Sequence, residues 1–267
     1  MKHLIIIIIP NLIKKKMDSM LKSEVSRKIT MPLTSPAFPK GPYRFHNREY
    51  LNIVYRTNAD DLLKVVPEPL ALDLNEPLVR FEMMFMPDSS GLGSYTECGQ
   101  AIPVNFNGVK GDYLHMMYLD NHPAIAVGRE LSSYPKKLGY PKLFVDSDTL
   151  VGTLDYGKLR VLTATMGYKH QPLDINEARN EICRPNFMLK IIPNYDGTQR
   201  ICELVSAQIK DITIHEAWTG PARLQLFDHA MAPFNDLPVK EIVSCSHIIT
   251  DLILPTPKVI YDYLKNN

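Results

Sequence analysis

Short runs of alternating or β-branched apolar residues recur along most of this chain, and glycine and proline separate them. In the run 78–86, every second residue from Val79 to Phe85 is apolar and falls on one face of an extended strand. Further strand patterns occupy 51–56, 94–106, 112–119, 142–165, 187–192, 201–217, 222–227 and 240–254. Together these patterns predict a mostly β fold of the α+β type, an antiparallel β-barrel or a sandwich with a few helices packed outside.

Helical patterns are fewer and shorter than the strand patterns. The range 60–66 begins with two aspartates suited to the first turn of a helix, and 122–131 and 258–264 also carry short helical patterns. The proline-rich stretch 32–42 predicts an extended arm, because proline fixes φ and donates no backbone hydrogen bond. We therefore expect three short helices beside the strands.

The N-terminal segment contains an apolar run, residues 4–9, with lysines on both sides. Six apolar residues are too few for the apolar region of a signal peptide, about 7–15 residues, or for a membrane helix of about 20 residues. We therefore expect no membrane association. Residues 1–19 are interpreted as a disordered tail or an over-extended reading frame, and 20–267 as a single domain.

Composition excludes several classes of protein. The 30 lysines and arginines nearly balance the 29 acidic residues, so a net charge of +1 gives no attraction to nucleic acid or to anionic membranes. The four cysteines, Cys98, Cys183, Cys202 and Cys245, form no C-x-x-C pair that would indicate a zinc or dithiol site. Their sparse use predicts reduced thiols in a cytoplasmic protein.

Two short motifs match known functional patterns only in part. Residues 152–158 have the spacing of a phosphate-binding loop, but Leu159 stands where a magnesium-binding Ser or Thr is required, so residues 155–158 predict a hairpin turn. His215 and Glu216 begin a metalloprotease pattern that Thr219 breaks, because it replaces the second histidine. The two motifs therefore predict neither a phosphate-binding loop nor a zinc site.

The segment 128–142 places two adjacent lysines, Lys136 and Lys137, among tyrosine, proline, leucine and glycine. Removal from water disfavours the charged form of an amine, and a neutral amine is a nucleophile. On composition alone, a solvated turn is the alternative. Adjacent side chains point apart in a strand or a helix, so we expect desolvation to activate Lys136 more than the charge of Lys137 does.

Several longer segments together indicate a protein family more specifically than either lysine does. From about Met20 to Lys265 the sequence resembles the acetoacetate decarboxylase family. The segments that carry the resemblance are 32–39, 41–50, 79–82, 95–104, 111–120, 130–142 and 215–220. Activation of a lysine is a known property of this family. The resemblance implies an enzyme, a carboxy-lyase that converts acetoacetate to acetone and carbon dioxide through a lysine Schiff base.

The resemblance also implies the site residues and the architecture. It places the Schiff-base lysine at Lys136 with Lys137 as its neighbour, an arginine at Arg48 that binds the substrate, and carboxylates at Glu82 and Glu97, of which Glu97 also contacts substrate. The implied fold is a cone-shaped antiparallel β-barrel that encloses the site. The implied assembly is a homo-oligomer, a dodecamer, that needs no metal or organic cofactor.

Other interpretations of these residues and of the function remain open. Glu82 could form an ion pair with Arg80 on the same strand face, Glu97 could accept backbone hydrogen bonds beside Gly99, and Arg48 could anchor the proline-rich arm. The alternative functions are a Schiff-base aldolase or dehydratase acting on other keto acids, and a non-catalytic carrier of small ligands.

Overall fold

The computed structural model describes residues 20–265. The chain divides into two compact units, one ending at Pro36 and one beginning at Ala37. Of the first unit, the described part contains the short helix α1 (Lys22–Val25). The interpretation of residues 1–19 lies outside the described residues, and the single domain over 20–267 stays a prediction. Within 20–265, no helix has the length and apolar character needed to cross a membrane.

Fifteen strands make up most of the described part of the second unit. They are β1 (Tyr43–Arg56), β2 (Leu78–Ser89), β3 (Gly93–Phe106), β4 (Val109–Leu119), β5 (Lys136–Leu138), β6 (Tyr140–Asp146), β7 (Thr149–Tyr156), β8 (Leu159–Gly167), β9 (Gln171–Pro172), β10 (Asn186–Pro193), β11 (Gln199–Ala207), β12 (Lys210–Thr219), β13 (Ala222–Leu226), β14 (Glu241–Leu254) and β15 (Lys258–Asp262). The helices are α2 (Ala59–Leu63), α3 (His122–Val127) and α4 (Ile175–Ile182), with a π-helical turn at Gly128–Ser132 and a 3₁₀ turn at Phe234–Asp236.

Two sheets organise these strands. The larger runs in the order β15-β11-β10-β4-β3-β2-β1-β14-β12-β9, with β5 paired to β4, and the smaller runs β13-β8-β7-β6. Pairing in the described residues is antiparallel except where β4 meets β5 and β10. The predicted mostly β fold with few helices is therefore confirmed.

The two faces of the central strands have different partners. On β2, Val79, Phe81 and Met83 are fully buried in a core that they share with leucines of β7 and β8. Burial of each such side chain contributes about 1.5–3 kcal/mol. Because side chains alternate along a strand, Arg80 and Glu82 lie on the opposite face. That face carries the site described below.

Most predicted local elements are confirmed. The pattern over 60–66 corresponds to α2, and 122–131 corresponds to α3 followed by the π-helical turn. Residues 32–42 form neither helix nor strand, but the N–H of Ser35 donates to the carbonyl of Pro32 and closes a turn, so the predicted extended conformation is not confirmed over the start of this stretch. The hairpin turn lies between β7 and β8, where Gly157 has φ +63°. Such a backbone conformation costs glycine little, which explains the turn at this point.

The predicted helix over 258–264 is wrong. Residues 258–262 form β15, in which Tyr261 pairs with Leu204 of β11. The segment is rich in β-branched and aromatic residues, and the edge of β11 supplies backbone partners that a short helix on its own cannot match. Helix α4 is not among the predicted elements; its cap Asp174 accepts hydrogen bonds from the backbone N–H groups of Asn176 and Glu177.

Candidate active site

Lys136 begins β5 and pairs with Met117 of β4, with its side chain only 7% exposed. The Lys136 Nζ atom lies 2.7 Å from Oε2 of Glu97, whose side chain is 3% exposed. The rings of Tyr95 and Tyr134 flank the amine, with centroids 5.8 and 5.3 Å from Nζ. Taking two charges out of water is costly, and stability alone is a weak reason to keep such a pair. The pair therefore indicates a functional role.

Arg48 follows an irregularity in β1 at which Asn47 has φ +51°. Its guanidinium contacts Sδ of Met84 and lies against the rings of Phe45 and Tyr50. Nε of Arg48 has no hydrogen-bond partner, and among residues 20–265 no carboxylate oxygen lies within 4 Å of the guanidinium. A buried guanidinium with no carboxylate in direct contact is suited to bind an anion bidentately.

Glu82 lies on β2 opposite Asn52 of β1 and Gly99 of β3. Burial raises the pKa of Glu82 to about 7, against the opposing effect of the Arg80 charge. Arg80 itself pairs elsewhere, with Nε 3.5 Å from Asp112, so the alternative of an Arg80–Glu82 ion pair does not hold. Glu82 is therefore a carboxyl group that can gain or lose a proton near neutral pH.

Arg48, Glu82, Glu97 and Lys136 line one cavity of about 50 Å³. The structure thus brings together four of the five predicted site residues. Lys137 does not line this cavity, because its Nζ donates a hydrogen bond of 2.6 Å to the carbonyl of Met231 and lies against the rings of Tyr118 and Tyr156. Adjacent strand residues point to opposite faces, as expected for this pair.

Two tyrosines of the cavity wall, Tyr50 and Tyr134, are not among the predicted site residues. The Tyr50 hydroxyl is buried without a hydrogen-bond partner, and the Tyr134 hydroxyl lies beside the side chain of Asn186. Burial raises the pKa of both phenols, so they stay neutral donors. Tyr50 follows Arg48 by two positions and Tyr134 precedes Lys136 by two. Because side chains two apart in a strand share a face, this spacing could have identified Tyr50 on β1, whereas Tyr134 precedes β5 and lies outside any strand.

A network of charged side chains lies at one side of the cavity. Arg184 binds Asp112 bidentately, through Nε at 2.6 Å and Nη2 at 2.8 Å. Arg80 also approaches Asp112, and its Nη2 lies 3.4 Å from Glu181. The two arginines and two carboxylates compensate one another. Within the described chain, no cluster of three or more His, Cys, Asp or Glu side chains is arranged to hold a metal ion.

Comparison with known proteins agrees with this geometry. The model of the family described as Acetoacetate decarboxylase (ADC) matches residues 30–264. The acetoacetate decarboxylase of Clostridium botulinum is 84% identical over 246 residues, which cover 92% of this chain and 100% of that protein. A solved structure described as "Structural Studies of Acetoacetate Decarboxylase" has a TM-score of 0.90 at 79% identity, with 92% and 100% of the two chains covered. Acetoacetate decarboxylase from Legionella pneumophila has a TM-score of 0.85 at 47% identity, with 92% and 99% covered. The chain therefore belongs to the acetoacetate decarboxylase family.

Proposed function

We propose that this chain is a carboxy-lyase that converts acetoacetate to acetone and carbon dioxide through an imine on Lys136. One observation carries the proposal: the cavity holds both an amine paired with Glu97 and a buried guanidinium, Arg48, that has no ion partner in the described residues. The amine can attack a ketone carbonyl, and the guanidinium can bind a carboxylate. A β-keto acid carries both groups, and a relative that is 84% identical bears the name acetoacetate decarboxylase.

In the first step the Lys136 amine must be neutral to attack the ketone carbon. We assign Oε2 of Glu97 the role of proton acceptor, since it lies 2.7 Å from Nζ. The C–N bond then forms, the ketone oxygen leaves as water, and a protonated imine remains. Lys137 is assigned a secondary electrostatic role, because its amine is held at the carbonyl of Met231 while Lys136 is buried.

In the second step the bond between the α-carbon and the carboxylate breaks. Its electron pair moves toward the positive imine nitrogen, carbon dioxide leaves, and an enamine forms. Arg48 orients the carboxylate rather than holding it as tightly as possible, because an interaction stronger in the ground state than in the transition state would slow its departure. Protonation of the enamine carbon and hydrolysis of the imine then release acetone. Glu82, with a pKa of about 7, is assigned the exchange of protons within the cavity.

The test is reductive trapping with acetoacetate and borohydride, followed by peptide mass analysis. We expect one group derived from the substrate after loss of carbon dioxide, attached at Lys136. Lys136→Arg should abolish both labelling and turnover, because a guanidinium that stays protonated forms no imine. The control is Lys142→Arg, which changes an exposed lysine of β6 and should leave both intact.

Each other outcome of the trapping experiment points to a different function. A label that retains the carboxylate, or formation of condensation products, would favour an aldolase or dehydratase. Absence of any covalent label would favour a carrier, and a label at another lysine would refute the assignment of Lys136.

We further propose the dodecameric assembly and the cytoplasmic location implied by the family resemblance. Four free cysteines support a reducing compartment. Sedimentation or light scattering of the purified protein measures the number of subunits, and cell fractionation tests the location.

A further inference from the structure

We propose that Gly128 is a positioning residue for Lys136, since the absence of a side chain at position 128 provides the space that the lysine stem occupies. A Cβ atom added to Gly128 would lie 2.4 Å from Cδ of Lys136 and 3.1 Å from both Cγ and Cε. This inference rests on the proposed role of Lys136. It extends that role to a second residue, which contacts neither the substrate nor a group that transfers a proton.

The backbone at Gly128 does not itself require glycine. Its φ of −57° and ψ of −51° are ordinary helical values that any residue adopts. Gly157, by contrast, has φ +63° and serves a turn. On backbone grounds alanine would favour the helical conformation at position 128 more than glycine does. The requirement for glycine at this position is therefore one of space.

Several contacts fix the backbone on both sides of this close approach. The N–H of Tyr134 donates to the carbonyl of Gly128 at 2.9 Å, and Arg129 donates to the carbonyl of Lys136 at 3.2 Å. The chain between them makes a π-helical turn and then a left-handed residue, Ser133, with φ +69°. Such turns are frequent at functional sites. A new Cβ would therefore displace the lysine stem rather than the backbone.

Displacement of the stem would move the reacting atom. Carbon atoms in contact are separated by about 3.5–4.0 Å, so Cδ of Lys136 would have to move by about 1 Å from a Cβ at 2.4 Å. The amine lies 2.7 Å from Glu97 and between two tyrosine rings, so little space remains to restore its position. A misplacement of about 1 Å in a reacting group can lower a rate about a hundredfold.

The experiment compares the wild-type protein with Gly128→Ala and with Gly167→Ala. The control suits the comparison, because a Cβ at Gly167 meets no atom closer than 3.4 Å. For Gly128→Ala we expect about a hundredfold lower kcat, an equally slower rate of borohydride-trapped imine formation, and a KM within threefold of wild type. Gly167→Ala should match wild type in all three. A wild-type kcat for Gly128→Ala would overturn the proposal.

A double-mutant cycle on thermal stability tests the contact without any assay of activity. Gly128→Ala should lower Tm when Lys136 is present. In a Lys136→Ala background, where the stem is absent and alanine favours the helical backbone, it should leave Tm unchanged or raise it slightly. If Gly128→Ala fails to fold, recovery of folding in the double variant would support the proposal, and failure of both would overturn it. An equal loss of Tm in both backgrounds would also overturn it. Absence of borohydride labelling in the wild-type protein would refute the proposed function and leave this cycle as the test of the contact.

Discussion

Glu82→Gln should stabilise the protein at alkaline pH. Burial raises the pKa of Glu82 from 4.5 to about 7 in the folded protein. Between these values the unfolded chain loses the proton while the folded protein keeps it, so stability falls as pH rises through this window. A pKa difference of about 2.5, at about 1.36 kcal/mol per unit, corresponds to about 3 kcal/mol. Since Glu82 is half-buried, solvent screening lowers the expected gain of Glu82→Gln to about 1–3 kcal/mol above pH 7.

The assay is urea unfolding at pH 5 and pH 8 at one fixed protein concentration, because subunit association also contributes to stability. Wild type, Glu82→Gln and the control Glu68→Gln, which changes an exposed glutamate, are compared. Glu82→Gln should exceed wild type clearly at pH 8 and by less at pH 5, and the control should follow wild type at both. Equal or lower stability of Glu82→Gln at pH 8, or the same gain at both pH values, would refute the reasoning.

Two further substitutions test the cavity. Arg48→Ala should lower kcat/KM for acetoacetate at least about tenfold with folding retained, because a hydrogen bond to a charged group contributes about 1.5–3 kcal/mol. Steady-state kinetics measure the loss, and circular dichroism checks the folding. Wild-type kinetics would show that Arg48 only anchors the chain. Lys137→Met should lower kcat less than about tenfold, about 1.4 kcal/mol, because the Lys137 amine lies at the carbonyl of Met231. A larger loss would show that the charge of Lys137 activates Lys136.

The sequence predicts the parts of this molecule that depend on local periodicity. The buried face of β2 follows from alternation of its residues, and the turn at Gly157 follows from turn chemistry. The helix predicted over 258–264 is wrong because the structure of this segment depends on β11, a strand about 60 residues earlier in the chain. In short apolar segments with both helical and strand character, such tertiary pairing decides which secondary structure forms.

The same distinction applies to the site. Four of its residues follow from the family resemblance, and period-two spacing relates Tyr50 to Arg48. The pairing of Asp112 with Arg184 joins positions 72 residues apart, and no local pattern reports it. The contact of Gly128 with Lys136 depends on a π-helical turn and on the left-handed Ser133. These features arise from packing that a single sequence does not display.

The protonation state of Glu82, which affects the stability of the protein, should also affect catalysis through the other charges of the cavity. The network of Arg80, Arg184, Asp112 and Glu181 is neutral as a group, and Lys136 is paired with Glu97. Below pH 7 Glu82 is neutral, so the positive charge of Arg48 is available to attract the substrate carboxylate. Above pH 7 the charge of the ionised Glu82 opposes that of Arg48 and weakens its attraction for the substrate carboxylate.

We therefore expect kcat/KM to fall as pH rises through about 7. Two like charges about 4 Å apart repel by about 4 kcal/mol at an effective dielectric of about 20, and the repulsion falls with distance, so across the cavity we expect a loss of at least about tenfold. A pH series of initial rates at low acetoacetate concentration measures the decline, and Glu82→Gln should abolish it. If Glu82→Gln keeps the same decline, another group titrates, and electrostatic control of substrate binding by Glu82 is ruled out.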